Sequence, residues 1–143
     1  MGRQSFAETV DRCAIHEDFL AKAGAALAAP WVEQDTSAVG APTTDYVTSE
    51  IGGAYELVLA ATDEAEAIGL NLNDNLPIDP TKAPVLEVRA KVSAQLTGVQ
   101  DLVIGLCSAR NATLDSATSN VWFRMTGANN NILIESDDGT TDS

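Results

Sequence analysis

The segment Pro84-Val-Leu-Glu-Val-Arg-Ala-Lys-Val-Ser93 alternates apolar and polar side chains with a period of two. In an extended strand, this period places side chains on two faces: Leu86, Val88, Ala90 and Val92 on one, Glu87, Arg89, Lys91 and Ser93 on the other. The pattern predicts a half-buried β-strand. The whole stretch from 83 to 142 predicts three consecutive strands, followed by a Gly-rich polar turn and an acidic tail.

Further strands are predicted downstream of this segment. Residues 101–108 have a core that is apolar on both sides, as expected for a strand covered on both faces, and Gly105 would allow a bulge or the close approach of another backbone. Residues 120–126 form the next predicted strand, and a turn leads from it to the short run 132–135. In strand 120–126, one side carries Val121, Phe123 and Met125, and the other carries Trp122 and Arg124.

The preceding part of the chain also favours strands. Residues 43–50 and 53–61 are candidate strands around the turn Ile51-Gly-Gly53, which predicts a hairpin. Residues 70–78 are interrupted by polar residues and proline, as in a broken edge strand. Residues 31–42 are rich in turn formers and predict a connector.

The N-terminal segment 5–29 differs in composition from the rest of the chain. Apolar residues recur there at helical spacing, and Pro30 ends the pattern. We therefore expect a short amphipathic helix, which either covers an edge of the sheet or docks on a neighbouring subunit. The predicted organisation is an N-terminal helical arm and connector at 1–42, and an antiparallel β-sandwich of jelly-roll or lectin-like type at 43–143. The helical stripe consists of Phe19, Leu20, Ala23, Ala26 and Leu27, with Phe6, Val10 and Cys13 as its loose continuation.

Composition limits the possible functions. The 143 residues are 45% apolar, enough to bury a core in one modest domain. The net charge of −13 disfavours binding to nucleic acid, because phosphate recognition needs clustered basic residues. No export signal and no apolar run of about 20 residues is visible, so no membrane association is expected. Cys13 and Cys107 are interpreted as free and mostly packed thiols.

Catalytic and metal-binding motifs are weak. His16 is the single histidine, so a nucleophile–histidine arrangement would have to recruit it from the arm. Glu87 and Glu135 are the conceivable glycosidase pair, but both are more simply explained as solvent-facing strand residues. We expect no enzyme and no cofactor. A weak calcium candidate has its carboxylates on Asp137, Asp138 and Asp142, although a solvated turn or tail explains them more simply.

The order of strands in residues 45–142 resembles that of tailed-phage virion proteins with a lectin-like, concanavalin-type β-sandwich, which occur as head-associated or decoration proteins. The likeness covers about two thirds of the chain and implies a structural virion component. Sandwiches of this type normally continue with several more strands. Either these residues are part of a longer product, or six or seven strands form a smaller sandwich completed by neighbouring chains. The matching segments are 52–57, 85–92, Gly105-Leu106, 122–124 and 135–142.

The resemblance implies that the chain is a capsid decoration or head-associated cement protein. It would be made in the host cytoplasm, lie on the capsid surface of the virion, and bind the major capsid protein and other copies of itself. The alternative is a virion-borne carbohydrate-binding module used in host attachment, with Trp122 as a stacking platform. A calcium-dependent domain is a third hypothesis. The residues expected at subunit or capsid contacts are Phe6, Val10, Phe19, Leu20, Leu27 and Trp31.

Overall fold

The chain folds as antiparallel β-sheets. The structure is a computed structural model that describes residues 15, 17–60, 65–73, 78–79, 82–98, 100–111, 113–127, 129 and 131–139. These residues contain seven strands and no α-helix, which confirms the all-β fold class. The chain divides into two compact units, residues 1–82 and 83–143.

The first unit contains two two-stranded antiparallel sheets. Strand β1 (Val32–Asp35) pairs with β4 (Ile68–Asn71), and β2 (Thr43–Tyr46) pairs with β3 (Tyr55–Val58). The predicted hairpin around residues 51–53 is therefore confirmed. Strand β1 lies inside the predicted connector 31–42. The turn-forming residues of this connector come after the strand and do not interrupt it.

The predicted amphipathic helix is not formed over residues 17–29, which consist of turns and irregular chain. Two backbone positions explain the difference. Phe19 has a φ of 52° and Gly24 a φ of 74°, and a left-handed residue interrupts a right-handed helix. The Gly24 N–H donates a hydrogen bond to Asp45 Oδ1 on β2 at 2.7 Å, so this segment is bonded to the hairpin. The beginning of the predicted helix, residues 5–14 and 16, lies outside the described residues.

The second unit contains one three-stranded antiparallel sheet. Its strands β5 (Asp101–Cys107), β6 (Asn120–Thr126) and β7 (Ile132–Asp137) follow the order β5-β6-β7. All three were predicted from the sequence. The loop between β5 and β6 contains a 3₁₀ turn at Leu114–Ser116, which orders part of the predicted polar loop.

The alternating segment 84–93 does not form a strand. Its backbone joins no sheet, and the apolar side chains Leu86, Val88 and Val92 are exposed. The strand prediction is therefore wrong for this structure. Alternation predicts which side chains share a face, but a strand also needs a partner for its backbone hydrogen bonds. Within the described part of the chain, no strand pairs with this segment.

The buried core is small in both units. Among the described residues, three apolar side chains are buried, namely Tyr46 in the first unit and Ala117 and Trp122 in the second. Many large apolar side chains are exposed instead. In a chain that is 45% apolar, this distribution leaves much of the hydrophobic surface without cover from the described residues.

Candidate functional site

The sheet of the second unit has two chemically different faces. Residues directly opposite one another in an antiparallel pair lie on the same face. Phe123 is opposite Ile104 on one side and Ile134 on the other, whereas Trp122 is opposite Gly105 and Glu135. We call the first the apolar face. It consists of Leu102, Ile104, Leu106, Val121, Phe123, Met125, Ile132 and Ile134, with Ser136 at its end.

The apolar face is open to solvent. Phe123 is 54% exposed and Ile134, beside it, is 72% exposed. Val121 and Ile132 on the same face are exposed as well. Full burial of one such side chain stabilises a protein by about 1.5–3 kcal/mol. A contiguous exposed apolar surface marks a site of interaction with another molecule.

The opposite face is organised around Trp122, which is only 6% exposed. Its indole Nε1 donates a hydrogen bond to Glu135 Oε2 at 2.9 Å. Gly105 lies opposite Trp122, and a Cβ atom at position 105 would overlap the Trp122 backbone and Cβ and the carbonyl oxygen of Val121. The close approach predicted at Gly105 is therefore confirmed. Strands β5 and β6 pair continuously past Gly105, without a bulge.

Arg124 connects three carboxylates next to Trp122. Its guanidinium Nη2 donates to Asp101 Oδ2 at 2.7 Å. Its Nη1 donates to Asp115 Oδ1 at 2.6 Å and lies 3.5 Å from Glu135 Oε2. The hydrogen bond to Asp101, aided by that to Asp115, raises the pKa of Arg124 above its usual range despite the opposing effect of burial. Arg124 is thus a fixed positive charge that joins β5, β6, β7 and the 3₁₀ turn.

A cleft of about 390 Å³ lies over this charged network. Two polar atoms beside it, Asn120 Oδ1 and Arg124 Nε, are buried and have no hydrogen-bond partner within the described residues. These atoms are one acceptor and one donor that belong to residues lining the cleft. Its lining includes Leu114, Asp115, Asn120, Trp122, Glu135 and Asp137.

Two of the predicted contact residues pack within the first unit. The ring of Phe19 lies 5.9 Å from that of Trp31 and 5.8 Å from that of Tyr55, measured between centroids. Tyr55 in turn meets Tyr46 edge to face at 4.9 Å. The aromatic surface of Phe19 and Trp31 is therefore used inside the unit that contains them.

The other predicted contact residues differ in their positions. Leu20 is 70% exposed and Leu27 is partly buried. Phe6 and Val10 lie outside the described residues. Among the members of this group that the structure describes, Leu20 has a side chain that is open to a partner.

Tyr55 also belongs to a polar network on the first unit. Its hydroxyl lies 3.1 Å from both Glu33 Oε2 and Thr44 Oγ1, and the Thr44 hydroxyl donates to the same Glu33 oxygen. Burial raises the pKa of Tyr55 from 10.0, its hydrogen bond with the Thr44 hydroxyl lowers it, and the nearby Glu33 carboxylate raises it further. The neutral phenol is therefore the form that this site stabilises.

The remaining predicted residues are placed as follows. Trp122 is too buried to present its ring as an open stacking platform, and its contribution to the cleft is to hold Glu135. Asp137 Oδ1 accepts a hydrogen bond from the Gly139 N–H at 2.6 Å, as in a turn, Asp138 is exposed, and Asp142 lies outside the described residues. Among the residues that can be described, no group of three His, Cys, Asp or Glu side chains is arranged to hold a metal ion.

Cys107 is a free thiol at the end of β5 and is exposed, in contrast to the packed thiol expected from the sequence. The residue lies at the last position of an edge strand, so little of the chain covers it. Partial burial still raises the pKa of its thiol, and the positive charge of Arg110 opposes that rise. Cys13 lies outside the described residues.

The sequence does not reveal the partners of Arg124 or the exposure of the apolar face. The alternation in 120–126 did separate Phe123 from Trp122, but a single strand carries no information about which face another element covers. Asp101 and Asp115 are 23 and nine residues from Arg124, and no local spacing rule connects them.

Comparison with known proteins gives no match to a family model, to a curated protein or to a solved structure. Within the described part of the chain, no helix has the length and apolar character that would be needed to cross a membrane.

Proposed function

We propose that this chain is a structural protein that assembles with other chains through the apolar face of its second unit. The specific form that we propose is a capsid decoration or head-associated cement protein of a tailed phage, which binds the major capsid protein and neighbouring copies. The observation that carries the proposal is the exposure of Phe123 and Ile134 on a sheet face without a charged residue.

Charge adds a second argument. A net charge of −13 makes copies repel one another in solution. Contact must therefore occur where the surface is uncharged, and the apolar face meets this requirement because its one polar member is Ser136. Association would bury this face and stabilise the folded chain by mass action.

The same face accounts for the proposed sandwich. A β-sandwich packs the apolar faces of two sheets about 10 Å apart. The sheet β5-β6-β7 supplies one layer with the required alternation of apolar and polar faces. We propose that the second layer is contributed on assembly, so that the sandwich is complete in the particle. In this arrangement Leu20, Phe6 and Val10 of the N-terminal segment remain proposed contacts outside the sheet.

The test combines two measurements on the purified full-length chain. Light scattering gives its molar mass in solution, and sedimentation with undecorated tailed-phage capsids measures binding. The proposal predicts a stable oligomer that saturates the capsids at a fixed ratio to the major capsid protein. A monomer that does not bind capsids at any concentration would contradict it.

A second candidate function is carbohydrate binding at the cleft over Arg124. Asn120 Oδ1 and Arg124 Nε are buried without partners there, and sugar hydroxyls can both donate to the first and accept from the second. A glycan array separates the two functions. Selective binding that is lost in Asn120→Ala favours this candidate, whereas a capsid cement protein gives no selective binding.

A further inference from the structure

The outer edge of strand β5 is open in the second unit. Within the described residues, β5 pairs with β6 on one side and with no strand on the other. Gly105 and Cys107 of this strand are exposed. We propose that two copies pair through this edge, β5 against β5 in antiparallel direction, so that their sheets become one continuous sheet. This inference rests on the proposed function, because the hydrogen bonds of one short strand do not by themselves offset the entropy lost on association. Burial of the apolar face must accompany them.

The direction of the backbone groups identifies the residues that bond across the edge. In an antiparallel pair, residues directly opposite one another alternate between hydrogen-bonded and non-hydrogen-bonded pairs. At one end of the β5–β6 ladder, the Ser108 N–H donates to the Ser119 carbonyl oxygen at 2.9 Å. At the other end, the Gly127 N–H donates to the Gln100 carbonyl oxygen at 2.8 Å. The even-numbered residues of β5 therefore bond to β6. The residues whose N–H and C=O groups point to the outer edge are Asp101, Val103, Gly105 and Cys107.

Strand β5 lacks the features that usually protect an edge strand from pairing. Protected edge strands are very short, contain lysine or proline, or are interrupted by a bulge. Strand β5 has seven residues, contains no lysine, arginine or proline, and pairs with β6 without a bulge. In the described part of the chain, no hydrogen bond outside this ladder uses a backbone group of residues 101–107. The edge can therefore accept another strand.

The backbone of β5 is compatible with pairing to a second β5. When a two-fold axis passes between the Ile104 residues of two copies, the whole strand is paired. Val103 then lies opposite Gly105 of the other copy, and Asp101 lies opposite Cys107. All four have outward-directed backbone groups, so each of these pairs can form hydrogen bonds. A shift by one residue would place outward-directed groups opposite inward-directed ones and break the ladder.

The side chains match in the same register. Residues directly opposite one another lie on the same face of a sheet. Leu102 is then opposite Leu106 of the other copy, and Ile104 is opposite its own counterpart. These residues all belong to the apolar face. The apolar faces of the two copies therefore lie on the same side and join into one larger surface, which can be covered as a unit on assembly.

Charge favours β5 over β7 as the edge that pairs. Pairing of two β7 strands about Ile134 would place the Glu135 carboxylates of the two copies at diagonal positions on one face. Strand β5 has one charged side chain, Asp101, which accepts a hydrogen bond from Arg124 at 2.7 Å. In the β5 pair, the two Asp101 residues are separated by the length of the ladder, about 20 Å. This distance exceeds the Debye length of about 8 Å at physiological ionic strength, so the two carboxylates repel each other weakly.

Disulfide trapping of a single variant tests the register directly. The full-length chain carries Cys13→Ser and Cys107→Ser, so that the introduced thiol is the one that reacts. Opposite residues in a non-hydrogen-bonded pair have Cα atoms about 4.5 Å apart, which is within disulfide geometry. We expect Ile104→Cys to form a disulfide-linked homodimer under mild oxidation.

Two further variants on the same face give the register a control. Leu102→Cys alone is expected to link with at least tenfold lower yield than Ile104→Cys, because its counterpart in the other copy is about 14 Å away along the ladder. An equimolar mixture of Leu102→Cys and Leu106→Cys is expected to form a mixed dimer as efficiently as Ile104→Cys. Equal yields for Leu102→Cys alone and Ile104→Cys would overturn the proposed register.

The equivalent position on the other edge controls for non-specific contact. Ile134→Cys lies on the same apolar face at an isoleucine that is 72% exposed. Random contact between apolar faces, or pairing through β7, would trap it at least as well as Ile104→Cys. We expect at least a tenfold lower yield for Ile134→Cys. A yield equal to that of Ile104→Cys would overturn the choice of edge.

Proline substitution gives an independent readout. Val103→Pro removes an N–H group that points away from β6, so the ladder within one copy keeps its hydrogen bonds. We expect the variant to keep its circular dichroism spectrum and to associate at least tenfold more weakly. Ser136→Pro makes the same change at the outer edge of β7, where the Val121–Ser136 pair is a non-hydrogen-bonded one, and should associate like the unchanged protein. A folded Val103→Pro variant with unchanged association would contradict the pairing.

The outcomes separate this inference from the proposed function. If Ile104→Cys forms no disulfide-linked dimer while the protein is an oligomer that binds capsids, pairing through β5 is wrong and the assembly role stands. If Ile104→Cys links in the expected register but the protein does not bind capsids, the pairing stands and the capsid role fails. A monomer that forms no disulfide-linked dimer and does not bind capsids would overturn both.

Discussion

Trp122 donates its indole N–H to Glu135 at 2.9 Å, and the two residues are directly opposite each other on β6 and β7. This bond fixes the buried face of the sheet, because Trp122 fills the space above Gly105. The strand neighbour Phe123 must then point to the other side, where it is exposed. The same pair of strands thus creates both the packed face and the apolar face.

Trp122→Phe tests how much this hydrogen bond contributes to the stability of the sheet. The substitution removes the donor to Glu135 and leaves a gap in the core, so we expect the free energy of unfolding to fall by about 1–3 kcal/mol. Glu135→Gln keeps an acceptor for the indole and is expected to cost less. Urea unfolding followed by circular dichroism measures both. Equal stability of Trp122→Phe and the unchanged protein would show that the bond contributes nothing.

Asp101 and Asp115 make hydrogen bonds of similar length to Arg124 but differ in exposure. The side chain of Asp101 is 23% exposed and that of Asp115 is 74% exposed. Solvent and salt screen the second pair more strongly, so Asp115→Asn is expected to cost less than about 1 kcal/mol. We expect Asp101→Asn to cost about 1.5–3 kcal/mol, since its partner is a partly buried charge. The reverse order in chemical unfolding would contradict this account of Arg124.

Phe19 and Leu20 are neighbours with different roles. Phe19 packs against Trp31 and Tyr55, whereas Leu20 is exposed. We expect Phe19→Ala to lower the unfolding free energy of the first unit by about 2–4 kcal/mol and Leu20→Ala to leave it within about 0.5 kcal/mol. If Leu20 is an assembly contact, its variant weakens association at unchanged stability. Matched losses of stability in the two variants would refute the separation of roles.

Tyr55 gives a prediction for alkaline pH. Its raised pKa means that the folded protein holds the phenolic proton more tightly than the unfolded chain. The resulting stabilisation is fully present below pH 10 and is lost as the pH rises through the folded-state pKa. In Tyr46→Phe, Tyr55 is the one remaining tyrosine. Its tyrosinate absorbance is expected to titrate at a higher pH in the folded protein than in urea. A lower folded-state value would contradict the effect of burial.

The local pattern in the sequence predicts much of the second unit. Strands 101–107 and 120–126 follow from apolar content and alternation, and Gly105 indicates the close approach of β6. The hairpin of the first unit follows in the same way from the two glycines at 52–53. Residues that are close together in the sequence determine these features, so the periodicity of the sequence is enough to predict them.

Other features depend on contacts between distant residues. The segment 84–93 has the clearest alternation in the chain, yet it forms no strand, because its pairing depends on a partner edge. The helical spacing at 17–29 is overridden by the left-handed Phe19 and Gly24 and by the bond from Gly24 to Asp45. The three carboxylates next to Arg124 belong to three other parts of the second unit. No pattern within a single segment predicts such pairings.

We propose that the apolar face is an interface, and the molar mass of three proteins, measured by light scattering, tests this proposal most directly. Ile134→Lys places a charge on the apolar face, and Ile51→Lys places one at an isoleucine that is 97% exposed in the hairpin turn of the first unit. Both side chains are exposed, so both variants should stay folded by circular dichroism. We predict that the unchanged protein and Ile51→Lys are oligomers of equal mass and that Ile134→Lys is a monomer. An oligomer of unchanged mass for Ile134→Lys would contradict the claim.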